Sequence, residues 1–227
     1  MAQTIKIDNI DCLCISSGSK DRIAYVLYPM DMLGGWIESA AKKYDTTIVV
    51  VTSMDWQNVF SPWPAKGVPK GSPDFKGQSP EFLQQLQKSI IPAVESSNGI
   101  SDNAERTLVG VSMSGLFALW QWIVCDTFDN IASLSGSFWY EGFIDWFMHR
   151  PVPVKSGKAY FLLGDQEAKS KVKAFCPVAE NTNRIVSRLR GADINVEFDS
   201  VPGNHYSDPI PRLDKAFTSL FKIHRAE

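Results

Sequence analysis

The sequence predicts an α/β fold, with a mostly parallel central sheet and helices on both faces, and three observations predict it. Residues 46–52 (Thr-Thr-Ile-Val-Val-Val-Thr) are a continuous β-branched run of the kind found in strands covered on both sides. Strand-like runs alternate with helix-length segments along most of the chain, which is the order of a doubly wound sheet. Finally, Leu108-Val109-Gly110-Val111-Ser112-Met113-Ser114-Gly115 passes from an apolar segment through a Gly/Ser cluster into an apolar helical pattern. That run reads as strand, sharp turn and helix.

Taken in order, residues 3–16 alternate apolar and polar positions, as antiparallel edge strands do, and a turn at 17–21 closes them. A strand is expected at 23–28, a loop at 29–35, a helix at 36–43 and the buried strand at 46–52. Residues 53–80 are rich in Gly, Pro, Ser and aromatics, an excursion too long for an ordinary connection and therefore a functional loop by expectation. Residues 79–96 carry Phe82, Leu83, Leu86, Ile90 and Ile91 at helical spacing, with Ser79 read as the cap and Pro80 as the first helical position. After the turn at Ser112, residues 116–124 are almost wholly apolar, as in a helix buried against a sheet. A strand with its exit follows at 131–137, further strands at 158–163 and 194–201, and helices at 178–191 and 212–224.

Length and composition narrow the function. A chain of 227 residues without a linker-like stretch fits one domain. With 23 Lys+Arg against 25 Asp+Glu there is no basic stripe, so nucleic acid is not an expected partner. Cys12, Cys14, Cys125 and Cys176 lack the spacing of a zinc site or a redox pair and read as reduced, packed thiols. No signal peptide and no membrane-spanning run is visible, so a cytoplasmic protein that does not enter a membrane is expected. Seven Trp and thirteen Phe are many, and those in predicted loops are expected to line a pocket.

A serine at the tip of a strand-to-helix turn has its hydroxyl exposed, and Ser112 is the candidate nucleophile. Serine is a weak nucleophile at its own pKa and needs an imidazole to take its proton, which in turn needs a carboxylate to fix its tautomer. In one fold built on this plan the three arrive in the order Ser, acid, His, each after a successive strand. Here His205 follows the last strand in Pro202-Gly203-Asn204-His205, whereas His149 lies beyond an aromatic helix and His224 near the chain end. Asp165 and Glu167 both follow the preceding strand, and either reaches an imidazole on this reading. The oxyanion donors expected are the backbone N–H of Met113 and one from the loop after the strand at 23–28, at Met30 or Asp31.

Five pieces in this order carry a family likeness: Asp55-Trp56 with Ser61-Pro62-Trp63-Pro64, Gly110 to Gly115, Ser133-Leu134-Ser135-Gly136-Ser137-Phe138-Trp139, Leu163-Gly164-Asp165-Gln166-Glu167, and Pro202-Gly203-Asn204-His205. With them the chain resembles the esterases of the esterase D type, α/β-hydrolases that also include enterobactin-esterase-like and feruloyl-esterase-like proteins. The resemblance implies an α/β-hydrolase fold and hydrolysis of a small-molecule ester by a serine nucleophile, without metal or organic cofactor. It favours Glu167 over Asp165 as the acid, although some relatives admit a Ser-His dyad. Asp55, Trp56, Trp63 and Trp139 are the expected walls of the substrate pocket. Ser114 stands where the family motif has glycine and brings a second hydroxyl to the turn. An acyltransferase on the same residues and a non-catalytic binding protein are the alternatives, and a homodimer is left open.

Overall fold

The computed structural model describes residues 2–29, 33–52 and 55–221. Strands β1 (Ala2–Ile7) and β2 (Ile10–Ile15) form an antiparallel hairpin, and β2 pairs antiparallel with β4 (Thr47–Thr52). The remaining strands, β3 (Arg22–Leu27), β7 (Glu105–Val111), β8 (Asn130–Leu134), β9 (Lys158–Gly164) and β10 (Asn195–Val201), continue the same sheet in parallel, in the order β1-β2-β4-β3-β7-β8-β9-β10. A pair of two-residue strands, β5 (Pro64–Ala65) and β6 (Phe75–Lys76), forms a separate ribbon. β3 lies between β4 and β7, so the crossovers change direction there, and the carboxyl ends of β3 and β7 to β10 share one rim.

The helices divide between the faces. Helices α1 (Trp36–Tyr44) and α8 (Pro209–Leu220) cover Ala24, Val26, Val50 and Leu162. Helices α3 (Ser79–Gln85), α4 (Ile91–Asn98), α5 (Met113–Val124) and α7 (Val178–Arg190) cover Tyr25, Leu27, Val49 and Phe161. The alternation of β3 explains this: Ile23, Tyr25 and Leu27 face one layer, Ala24 and Val26 the other, and all are buried. α1 carries Glu38 in its first turn and Lys42 and Lys43 in its last, matching the helix dipole, and ends at Asp45 in the left-handed region.

Several boundaries differ from the sequence reading for physical reasons. The helix expected at 79–96 is split by a π-turn at Leu86–Ile90, because Pro92 lacks an N–H and its ring crowds the preceding turn. Ser79 is not the cap: Gln78 holds that position, and the Ser79 hydroxyl, fully buried, donates to the Val59 carbonyl at 3.3 Å. The helix after Ser112 begins at Met113 rather than at 116, directly on the turn. α8 begins at Pro209 rather than at 212, where Asp208 accepts the Ile210 N–H at 2.9 Å.

The long segment after β4 is ordered by its own aromatic core. Helix α2 (Trp56–Val59) and the β5–β6 ribbon bracket it. Phe60 is fully buried against Trp56, Phe82 and Phe117, and Phe75 packs on Tyr140 and Trp139. Trp63 packs on Tyr140, Phe143 and Trp146 of the loop after β8 and of helix α6 (Phe143–His149). The expectation that loop aromatics line a pocket is therefore corrected for most of them: an excursion of this length stays ordered by burying its own side chains. All four cysteines are free, Cys12 and Cys14 buried within β2. Among the described residues no helix is long and apolar enough to cross a membrane.

Candidate active site

The site is built on the turn between β7 and α5. Ser112 has φ 60° and ψ −119°, a sparsely populated conformation that costs about 1–3 kcal/mol and persists only where its surroundings impose it. They do so through the backbone. The Ser112 N–H donates to Leu134 O at 3.0 Å, and the Ser112 carbonyl accepts from Ser137 N–H at 3.0 Å and Leu116 N–H at 3.1 Å. The glycines of the motif supply clearance: a Cβ on Gly110 would lie 2.1 Å from Ser114 O, and one on Gly115 2.9 Å from Ser133 Oγ. Ser114 is fully buried, and its hydroxyl turns into the sheet rather than toward Ser112. It accepts the Val111 N–H at 2.8 Å and lies 2.7 Å from the Leu27 carbonyl, tying β7 to β3.

Two loops bring the other groups to Ser112. His205, beyond β10, has Nε2 at 3.0 Å from Ser112 Oγ and Nδ1 at 3.0 Å from Glu167 Oε2. An ionised carboxylate only accepts, so Nδ1 carries the proton and Nε2 is left as the acceptor for the serine hydroxyl. Glu167 opens a short 3-10 turn, Glu167–Lys169, after β9 and is 6% exposed. Its Oε1 accepts from Gly164 N–H at 2.8 Å and Ser135 Oγ at 2.6 Å, and lies 3.1 Å from Arg212 Nη1. Burial pushes the Glu167 carboxyl upward, but the hydrogen bonds from His205, Ser135 and Gly164 outweigh it and hold the group below its ordinary value. Asp165 is turned elsewhere: it is exposed, and its Oδ1 accepts the Gly203 N–H of the His205 loop at 3.0 Å. Of the other histidines, His149 is exposed with Nδ1 2.8 Å from Asp145 O, and His224 lies outside the described residues.

Beside this chain of hydrogen bonds is a cavity of about 360 Å³ lined by Ser112, Ser135, Trp139, Glu167, Ser170, Val172, Phe175, Val178, His205 and Tyr206. Larger open clefts of about 600 and 660 Å³ lie around Arg106, and neither is lined by Ser112 or His205. Of the four expected pocket residues only Trp139 lines the cavity, its ring 4.5 Å from that of Phe175. Asp55 borders a separate depression and accepts from Asn58 Nδ2 at 2.7 Å. Trp56 packs on Tyr28 and Phe60, and Trp63 donates its indole N–H to Glu141 O at 2.9 Å. These three serve the aromatic segment rather than the cavity. Met113 is the first residue of α5, so its N–H is one of the first-turn donors that a helix leaves without an internal acceptor. Met30 and Asp31 lie outside the described residues.

Sequence reasoning missed Ser135, Ser137 and Arg212. Ser135 has φ 52°, in the left-handed region, and Ser137 Oγ lies 3.3 Å from Ser112 Oγ. Read from its residues, Ser135-Gly136-Ser137 is a strand exit; Ser137 gains its neighbour where β8 meets β7, and Ser135 where β8 meets β9. Among the described residues no three His, Cys, Asp or Glu side chains converge as a metal site requires.

A family profile described as "Putative esterase" matches residues 31–207. Among curated proteins the chain is 23% identical over 159 residues to "Uncharacterized protein YbbA" of Bacillus subtilis (strain 168). That match covers 68% of this chain and 64% of the relative, so it spans less than two thirds of the relative's length. Among solved structures it is similar to an IroE-like serine hydrolase from Shewanella oneidensis, with TM-score 0.80 and 15% identity over 98% of this chain and 80% of that one. It is also similar to the siderophore hydrolase EstB from Aspergillus nidulans, with TM-score 0.75 and 14% identity over 100% and 96%. At such identities the likeness shows a shared fold.

Proposed function

The chain belongs to the esterase family that this profile describes, and we propose that it hydrolyses a small or medium carboxylic ester through an acyl-enzyme on Ser112. The observation that carries the reading is the continuous Ser112–His205–Glu167 hydrogen-bond chain at the edge of a cavity of about 360 Å³. Ser112 Oγ attacks the ester carbonyl carbon as its proton passes to His205 Nε2. The carbonyl oxygen takes the negative charge, and the Met113 N–H is one of the donors that meet it. The C–O bond to the alcohol breaks, and His205 returns the proton to the departing alkoxide. Water then repeats the sequence on the acyl-Ser112 ester, releasing the acid and restoring the serine. Glu167 keeps the imidazole in the tautomer that accepts at Nε2 and stabilises the imidazolium.

The cavity volume, near the small end for organic ligands, and the Trp139, Phe175, Val172 and Val178 walls favour a compact apolar or aromatic group next to the ester. Mixing the protein with an aryl ester under stopped flow tests this directly. A burst of phenolate matching the enzyme concentration is expected, with the acyl mass found on the peptide holding Ser112. Turnover without an acylated Ser112 peptide in quenched samples counts against the covalent route. Adding alcohols in the same experiment separates hydrolysis from transfer, since transfer yields the new ester in place of acid.

A further inference from the structure

Behind the hydrogen-bond chain sits a charged side chain that the ester chemistry does not itself use. Arg212, in the first turns of α8, is 6% exposed. A buried cation is costly unless partnered, and this one is partnered wholly within the site. Its Nη1 donates to Ser135 Oγ at 2.6 Å and lies 3.1 Å from Glu167 Oε1, while its Nη2 donates to Asn204 O at 2.7 Å. Asn204 immediately precedes His205. One planar guanidinium thus joins the carboxyl ends of β8, β9 and β10. The backbone leaves it room: a Cβ on Gly164 would lie 2.9 Å from Arg212 Nη2 and 3.0 Å from Glu167 Oε1.

We propose that Arg212 is a positioning residue for the Ser112–His205–Glu167 chain, clamping the acid to the base loop and offsetting part of the carboxylate charge that the imidazole feels. This rests on the esterase reading above. With Gly164, Ser135 and Arg212 all on Oε1, Glu167 presents Oε2 to His205 in a fixed direction. The guanidinium on Oε1 also weakens the pull of the carboxylate on the ring at Oε2. Among the described residues, the other groups near His205 are committed or remote: Tyr206 meets the ring edge-on, Asp165 is bonded to Gly203 N–H, Asp208 caps α8 and Lys169 is exposed.

The test is the rate at which a fluorophosphonate labels Ser112, followed across acid and neutral pH in Arg212→Gln, Arg212→Met and Arg212→Lys. A neutral replacement is expected to slow labelling about tenfold at the plateau. It should also move the acid limb up by about half a unit or more. Arg212→Lys, which keeps the charge and loses the fork, should leave the limb at its wild-type position with the plateau only partly restored. A limb unmoved in a folded neutral variant overturns the proposal, whatever happens to the plateau, because a mere buttress would lower the rate without shifting it. Failure of both neutral variants to fold overturns it as well, since the cation would then be a condition of the fold. Labelling that persists in Ser112→Ala marks failure of the esterase reading instead, and is read independently of the limb.

Discussion

Around Ser112 the loops carry small and polar residues, Gly110, Ser114, Gly115, Ser135 and Ser137, and each makes a hydrogen bond or keeps a gap that holds strained backbone in place. Around Trp63 the segment between β4 and α3 carries large rings, Trp56, Phe60, Trp63 and Phe75, that pack on one another and on the helices beneath. Both regions connect elements of the same sheet, and both look like loops in the sequence. The first spends its residues on directing polar atoms, and the second on building a core of its own. Aromatic density in a loop therefore signals internal packing as readily as a binding wall, whereas glycines flanking a strained serine signal a directed polar group.

The difference makes the two regions separable by substitution, because one should respond in rate and the other in stability. Ser112→Ala should lower ester turnover by about 10⁴-fold or more with little change in Tm. A comparable loss from Trp63→Ala would erase the contrast. Glu167→Gln should cost about 10³-fold or more, since it upsets the imidazole tautomer. Asp165→Asn keeps an acceptor for Gly203 N–H and should stay within about threefold by the same steady-state assay, as expected of an exposed site. The opposite ranking would move the acid.

Trp63→Ala should lower unfolding free energy by about 2 kcal/mol in a urea titration, discounted from a fully buried Trp because the side chain is part-exposed. It should leave kcat/KM for a small aryl ester within about twofold, as its contacts lie away from the cavity. Trp139→Ala sharpens the boundary, since Trp139 alone of the four expected walls lines the cavity. It should raise KM for aromatic acyl esters about tenfold and acetyl esters much less.

A smaller effect concerns pH. The folded state holds Glu167 below its ordinary value, so its contribution is complete above that value and is lost as pH falls through the folded one. Wild-type Tm should therefore fall more steeply than that of Glu167→Gln in the acid range below about pH 4. Parallel declines would mean that the bonds to Glu167 contribute nothing to stability.

How much of this was legible in the sequence follows from which interactions are local. The strands of the parallel sheet were readable because β-branched runs such as Ile48 to Val51 have no helical alternative that buries them equally well. The order of Ser112, Glu167 and His205 was readable because each sits where a strand ends. The role of Ser135 and Arg212 was not, because their partners lie 32 and 45 residues from them at Glu167, and a serine or an arginine has no spacing that announces such a partner. The three misplaced pocket residues show the same limit: Trp63 is defined by Tyr140, Phe143 and Trp146, which the sequence holds far away. The π-turn before Pro92 was within reach of sequence reasoning, since proline inside a helical pattern perturbs the turn before it.

The central claim is that Ser112 is a nucleophile activated by His205. Its most direct measurement is fluorophosphonate labelling of the intact protein followed by peptide mapping, in wild type, Ser112→Ala and His205→Ala. A single adduct on Ser112, absent from Ser112→Ala and formed far more slowly in His205→Ala, is the expected result. An adduct on another residue, or labelling of Ser112 at an undiminished rate without His205, contradicts it.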